Sequence, residues 1–159
     1  MSLYNAPLKP KSKTRPLKNT SAAYANFNKQ LLVGQQYEKI AQRKIKALYS
    51  DVTEIISNNT NMYDFVTMPS EVSYEVKFDS LCLRTNFFFI EFFGYGKISG
   101  LSVTKADNHI LCDGKYYFLI STDKLKQLVQ ECNVKKTKDG STMGFMLNRF
   151  EIIKHSKVI

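Results

Sequence analysis

The chain has 159 residues, 43% hydrophobic and 13% aromatic, with no Trp and a formal net charge of +9. That length and apolar content suit a single domain of mixed α/β class with a real core. No run of about 18 apolar residues occurs, which excludes a membrane-spanning helix. The three cysteines (Cys82, Cys112, Cys132) lack CxxC spacing and read as reduced thiols of a cytoplasmic protein, not as a disulfide or zinc framework.

The charge is unevenly placed. Residues 1–20 carry five basic and no acidic side chains, and residues 21–50 carry five and one. Residues 51–120 reverse this with nine acidic and five basic, and residues 121–159 return to eight basic and four acidic. Basic flanks attract a polyanion, while an acidic centre suits a metal cation. A merely solvated basic surface is the plainer alternative.

Residues 1–25 read as a flexible basic arm, interrupted by Pro7, Pro10 and Pro16. They carry no hydrophobic stretch of the secretion-signal kind. A single domain over 26–159 follows. From Asn26 to Tyr49 the apolar residues Val33, Tyr37, Ile40, Ala41, Ile45 and Leu48 recur at helical spacing. Glu38 is the one acid in that helix, and Gln42 or Arg43 is its expected surface partner.

Strands are predicted over 51–56, 62–68, 73–81 and 86–93, with a turn at 57–61. The run Phe87–Phe93, apolar on both faces apart from Glu91, predicts a central strand of a covered sheet. Gly94, Gly96 and Gly100 mark a loop. A hairpin about Asp113-Gly114 joins 109–112 to 115–121. A helix over 123–131 is expected to be capped by Thr122 or Asp123. The remainder predicts a basic loop with one or two edge strands near Phe145 and Phe150.

The segment Ser73–Asp79 carries the chemistry. In a strand, Glu75, Lys77 and Asp79 share one face and Tyr74, Val76 and Phe78 the other. Charge on a core strand needs a reason, because unpaired burial is expensive. Asp64 on the preceding strand supplies a second acid. Two converging carboxylates can hold a hard cation, Mg²⁺ or Mn²⁺, which would polarise a phosphodiester and acidify an attacking water. A lysine beside them can orient that water or offset charge on the phosphorus. Downstream, Ser99, Thr104 and Lys105 form a Gly-bounded turn able to donate to phosphate, although an ordinary loop has the same composition. His109 and His155 lack partners at ligand spacing and read as structural or surface residues. No Walker-type Gly-rich loop is present, so no nucleotide cofactor is implied.

The order of elements resembles the PD-(D/E)XK nuclease superfamily, with small phage-type nucleases and archaeal-type Holliday junction resolvases nearest. The resemblance runs over roughly residues 33–125: a helix with Glu38, a strand with Asp64, a strand with Glu75-Val76-Lys77, then Arg84-Thr85-Asn86, Glu91 and Gly96–Asp107. Tyr63 stands where the family name expects Pro. The resemblance implies a restriction-endonuclease-like core, a mixed central sheet flanked by helices. It implies Asp64, Glu75 and the carbonyl of Val76 as metal ligands, Lys77 as catalytic lysine and Glu38 as auxiliary acid. Ser99, Thr104, Lys105, Lys97 and Arg84 become the expected nucleic-acid contacts. Glu91 has no family role and is expected to pair with Arg84 or Lys105. The implied activity is Mg²⁺-dependent cleavage of DNA, and the likeness to resolvases implies branched or junction DNA as substrate and a homodimer, since two symmetric cuts need two sites. Two alternatives stay open. One is a nucleic-acid-binding protein on the same fold without catalysis. The other is a basic adaptor in which Glu75 and Lys77 only form a surface pair.

Overall fold

The computed structural model describes residues 20–58 and 62–159. Residues 1–19 of the predicted arm and 59–61 of the predicted turn lie outside the described residues. Among those described, four α-helices and ten strands form a mixed α/β fold. No helix there is long and apolar enough to cross a membrane.

Helix α1 (Thr20–Leu48) begins before Asn26, so its first turn occupies positions assigned above to the arm. Its apolar stripe is Tyr37, Ala41, Ile45 and Leu48, spaced by three and four, and Ala41 and Ile45 are wholly buried. Ile40 falls off this stripe and is exposed.

The strands after it are β1 (Glu54–Ser57), β2 (Phe65–Met68) and β3 (Val72–Phe78). A one-turn helix, α2 (Cys82–Thr85), leads into β4 (Phe87–Gly94) and β5 (Lys97–Ile98). Strands β6 (Asn108–Cys112) and β7 (Tyr117–Ser121) form the predicted hairpin, with Gly114 at φ +97° in its turn. Then come α3 (Thr122–Leu128), β8 (Val134–Lys136), β9 (Thr142–Asn148), α4 (Arg149–His155) and β10 (Lys157–Val158).

Six strands form a mixed sheet in the order β1-β2-β3-β6-β7-β10. Only β3 and β6 run parallel in it. The remaining four make a separate antiparallel sheet, β5-β4-β9-β8. The run Phe87–Phe93 is therefore an inner strand, but of this second sheet and not of the central one. Period-two alternation sorts the core into two layers. Tyr74, Val76, Ile110, Cys112, Tyr117 and Leu119 pack under α1. Leu111, Phe118 and Ile120, on the opposite face, pack against Phe88, Ile90 and Leu147 of the second sheet and against Leu125 and Ile152. Glu75, Lys77 and His109 belong by parity to that second face.

Two further expectations are corrected. The helix after β7 is capped by Ser121, whose Oγ accepts the Lys124 N–H (3.2 Å). Thr122 is buried and otherwise engaged. Phe150 lies in a helix and not in an edge strand, because Asn148 Oδ1 caps it by accepting the Phe150 N–H (2.8 Å). All three cysteines are free, and burial pushes the Cys82 thiol up to about 12.

Candidate active site

Strand pairing brings the predicted acids together. In the β2–β3 register Phe65 faces Tyr74, so Asp64, one residue before β2, falls beside Glu75. The Asp64 N–H donates to the Tyr74 carbonyl (2.8 Å), which extends the ladder by one step. The Asp64 carboxylate folds back onto β3, where Oδ2 accepts the Val76 N–H at 2.6 Å. Two residues along the same face, Lys77 Nζ meets Glu75 Oε1 at 2.6 Å. Glu75 is nearly enclosed, its side chain 12% exposed, whereas that of Lys77 is 50% exposed.

The electrostatics are unbalanced. Burial and then the nearby charge of Glu75 push the Asp64 carboxyl up to about 6, against the pull of the Val76 N–H and Lys77. Burial also opposes the Lys77 ammonium. The charge and hydrogen bond of Glu75, with Asp64 and Glu91 beyond, outweigh it and hold Lys77 above the usual lysine range. Lys77 therefore stands protonated at neutral pH as a cation and donor, not as a base. The Glu38 carboxyl is raised by burial and by Glu75, and Lys77 partly offsets this. Glu38 thus belongs to the same field. Tyr37, its neighbour on α1, stacks on Phe78 with ring centroids 3.8 Å apart, which docks this turn of the helix over the end of β3. Gln42, one of the surface partners expected for Glu38, instead donates to Ser57 Oγ (3.0 Å).

Glu91 makes no ion pair with Arg84 or Lys105. Its Oε1 accepts the Ser99 hydroxyl at 2.6 Å. The pairing of β4 with β9 is regular up to Glu91 and breaks just after it, with Phe92 as the extra residue. Two glycines make room for the pair. A Cβ on Gly94 would lie 3.0 Å from Glu91 Oε1, and one on Gly100 would lie 2.3 Å from the Glu91 carbonyl oxygen. Gly100 also sits at φ +50°, where a side chain is strained. The sequence signal for Glu91 was an acid inside an apolar strand, followed by closely spaced glycines.

His109, expected above to be structural or at the surface, is structural. It is buried opposite Glu75 in the parallel β3–β6 register. Thr122 Oγ1 donates to the Ala106 carbonyl (2.6 Å), so its lone pair accepts from His109 Nδ1 (2.9 Å). That assigns the ring proton to Nδ1. Burial, with Lys77 and Lys126 nearby, depresses the imidazole pKa to about 3, and His109 is neutral.

The predicted phosphate contacts divide into two kinds. Ser99 donates to Glu91, and Thr104 Oγ1 donates to the Met62 carbonyl (3.1 Å), so both hydroxyl protons are directed inside the fold. Together with the Ser73–Asp107 hydrogen bonds (2.7 and 2.8 Å), these contacts fasten the 99–107 segment to the approach of β2 and the start of β3. Lys97, Lys105 and Arg84 are exposed. A depression of about 300 Å³ lined by Tyr49, Asp51, Thr67 and Tyr74 lies apart from this cluster.

The donor set is carboxylate and carbonyl oxygen, the set that hard divalent cations take, and a cation there would relieve the crowding that raises Asp64. Among the described residues, no three His, Cys, Asp or Glu side chains stand grouped to hold a metal ion. A site here would therefore rest on two carboxylates, the Val76 carbonyl and solvent. No protein-family model, curated protein or solved structure matches this chain.

Proposed function

We propose that the chain is a divalent-metal-dependent endonuclease that hydrolyses phosphodiester bonds in DNA, built on a restriction-endonuclease-like core of the PD-(D/E)XK superfamily. One observation carries this reading. Asp64 and Glu75 are held side by side with too little compensation, so that Asp64 rises to about 6, while a protonated lysine stands against Glu75. Carboxylates with perturbed pKa values beside a specific charged partner concentrate at functional sites, which supports this reading.

Asp64, Glu75 and the carbonyl of Val76 would hold Mg²⁺ or Mn²⁺. When bound, such an ion polarises the phosphate and lowers the pKa of an attacking water. Lys77 directs its ammonium at the water or at a phosphate oxygen as charge accumulates on phosphorus. Glu75, with Asp64 and Glu91 beyond it, keeps this cation protonated, and Glu38 lies in the same field as an auxiliary acid. Lys97, Lys105 and Arg84 contact phosphates and set register along the strand. Branched DNA and a homodimer are the corresponding expectations for substrate and assembly.

The second reading, a nucleic-acid-binding protein without catalysis, is favoured by the lack of a third grouped acidic or imidazole ligand among the described residues. One assay separates the two. The protein is incubated with linear, flapped and four-way-junction DNA in Mg²⁺, alongside Asp64→Ala and Lys77→Ala. The expected result is cleavage by the parent chain and a loss of about 100-fold or more in each variant. Cleavage that survives both substitutions removes this site from consideration. Binding without cleavage of any substrate leaves the second reading.

A further inference from the structure

The hairpin joining β4 to β5 turns on two residues, Tyr95 and Gly96. Both lie in the left-handed region, at φ +52° and +81°. Tight two-residue turns of this hand favour Asn-Gly or Gly-Gly, because other side chains are strained there. A tyrosine in that position costs stability, and packing does not compensate. Tyr95 is 83% exposed, the highest value among the exposed large hydrophobic side chains described, and Ile98 across the turn is 64% exposed.

The backbone that carries the ring is nevertheless held in place. The Tyr95 N–H donates to the Ser141 carbonyl (2.8 Å), and the Ser99 N–H to the Phe92 carbonyl (3.0 Å). At the base of the hairpin, Ser99 is tied to Glu91 of the candidate active site. The Ser141 bond also brings the β8–β9 turn alongside. That stretch carries Lys135, Lys136 and Lys138, all exposed, and Lys97 follows Tyr95 on β5. Its one acid, Asp139, is occupied by the hydroxyls of Thr137 (2.6 Å) and Ser141 (2.9 Å) and by the Ser141 N–H (3.0 Å). A solvent-facing aromatic ring on a fixed backbone, next to segments rich in exposed lysines, is the arrangement that holds an unpaired base while the cations follow the phosphates.

We propose that Tyr95 stacks on an unpaired base of the DNA, so that the protein prefers substrates with a single-stranded segment next to the cut. This inference rests on the nuclease reading above, and it assigns the hairpin tip a role in substrate choice. Duplex DNA keeps its bases stacked on one another and offers the ring no free face.

The test uses the full chain in a chelator, with a single-stranded oligonucleotide carrying one 2-aminopurine and with the same strand in a blunt duplex. The parent chain is expected to quench the probe in the single strand and to bind that strand about tenfold or more tightly than Tyr95→Gly does. Tyr95→Phe keeps both properties. Tyr95→Gly melts no lower than the parent, since glycine accepts a positive φ without strain, so its loss of binding is not misfolding. Unchanged affinity and quenching in Tyr95→Gly, or equal quenching of duplex and single strand, overturns the proposal. Mg²⁺-dependent cleavage by the parent, compared with Asp64→Ala, is scored separately. Tyr95-dependent quenching without cleavage keeps the stacking site and removes the nuclease. Cleavage without such quenching does the reverse.

Discussion

Two places in this molecule bury an acid against a base, and they are built on opposite terms. At the β6–β7 turn the Asp113 side chain is fully buried, and that of Arg149, from α4, is 15% exposed. Asp113 Oδ1 accepts the N–H groups of Lys115 (2.8 Å) and Tyr116 (2.7 Å). Its Oδ2 accepts two more hydrogen bonds from the Arg149 guanidinium (2.8 and 2.7 Å), which also lies over the rings of Tyr116 and Phe118. Burial alone would raise the Asp113 carboxyl, yet these four donors and the Arg149 charge hold it below its usual value. Asp64 is less deeply set, but one backbone N–H and a half-exposed lysine do not offset its burial and the charge of Glu75, so its carboxyl rises. Depth of burial alone therefore does not set the direction in which a carboxyl shifts. The balance of donors against charge does.

That contrast can be broken by mutation. Arg149→Ala leaves a carboxylate buried without its cation and is expected to destabilise the fold by about 3–5 kcal/mol, read by denaturant unfolding. A loss under about 1 kcal/mol would erase the distinction.

Asp64→Asn is expected to act in the opposite direction. Burial and the charge of Glu75 push the Asp64 carboxyl from the ordinary aspartate value of about 3.9 up to about 6 in the fold. Native protein therefore binds the proton more tightly than the unfolded chain does, and stability falls as pH rises from about 4 to about 6. The full shift of about two units corresponds to about 3 kcal/mol, and partial exposure reduces this to about 1–2 kcal/mol. With divalent metal chelated, Asp64→Asn should be the more stable protein by that margin at pH 8, and the margin should vanish near pH 4. A pH-independent difference would show that the carboxylate is not strained.

The smallest effect is expected for Lys77→Ala. With Lys77 half exposed, its pair with the nearly enclosed Glu75 contributes about 1 kcal/mol or less, so under the proposed reading this variant should unfold nearly as the parent does while losing cleavage. Large destabilisation would place Lys77 in the structural class with Arg149.

Local pattern made part of this legible. The stripe of α1, the Asp113-Gly114 hairpin and the two-residue step from Glu75 to Lys77 all depend on periods of a few residues, and each stands where its period puts it. The partition into two sheets depends on which strands meet across long separations, and nothing within Phe87–Phe93 tells a central strand from an inner strand of a second sheet. Glu91 was seen as an anomaly but given the wrong partner, because Ser99 comes beside it only when the β4–β5 hairpin folds back. His109 lacked neighbours at ligand spacing in sequence, and the parallel register with Glu75 is a tertiary fact. Phe150 followed the side chain of Asn148, a cap signal that an aromatic residue beside it obscured.

The parallel pairing of β3 with β6 carries a consequence for the order of assembly. Between these strands the chain makes α2, β4 and β5, and β4 takes its main partner, β9, from well beyond the hairpin. Closing such an excursion is entropically slow. The strand that carries Glu75 and Lys77 thus has one neighbour, β2, that is close in sequence, and a second, β6, that reaches it only across α2, β4 and β5.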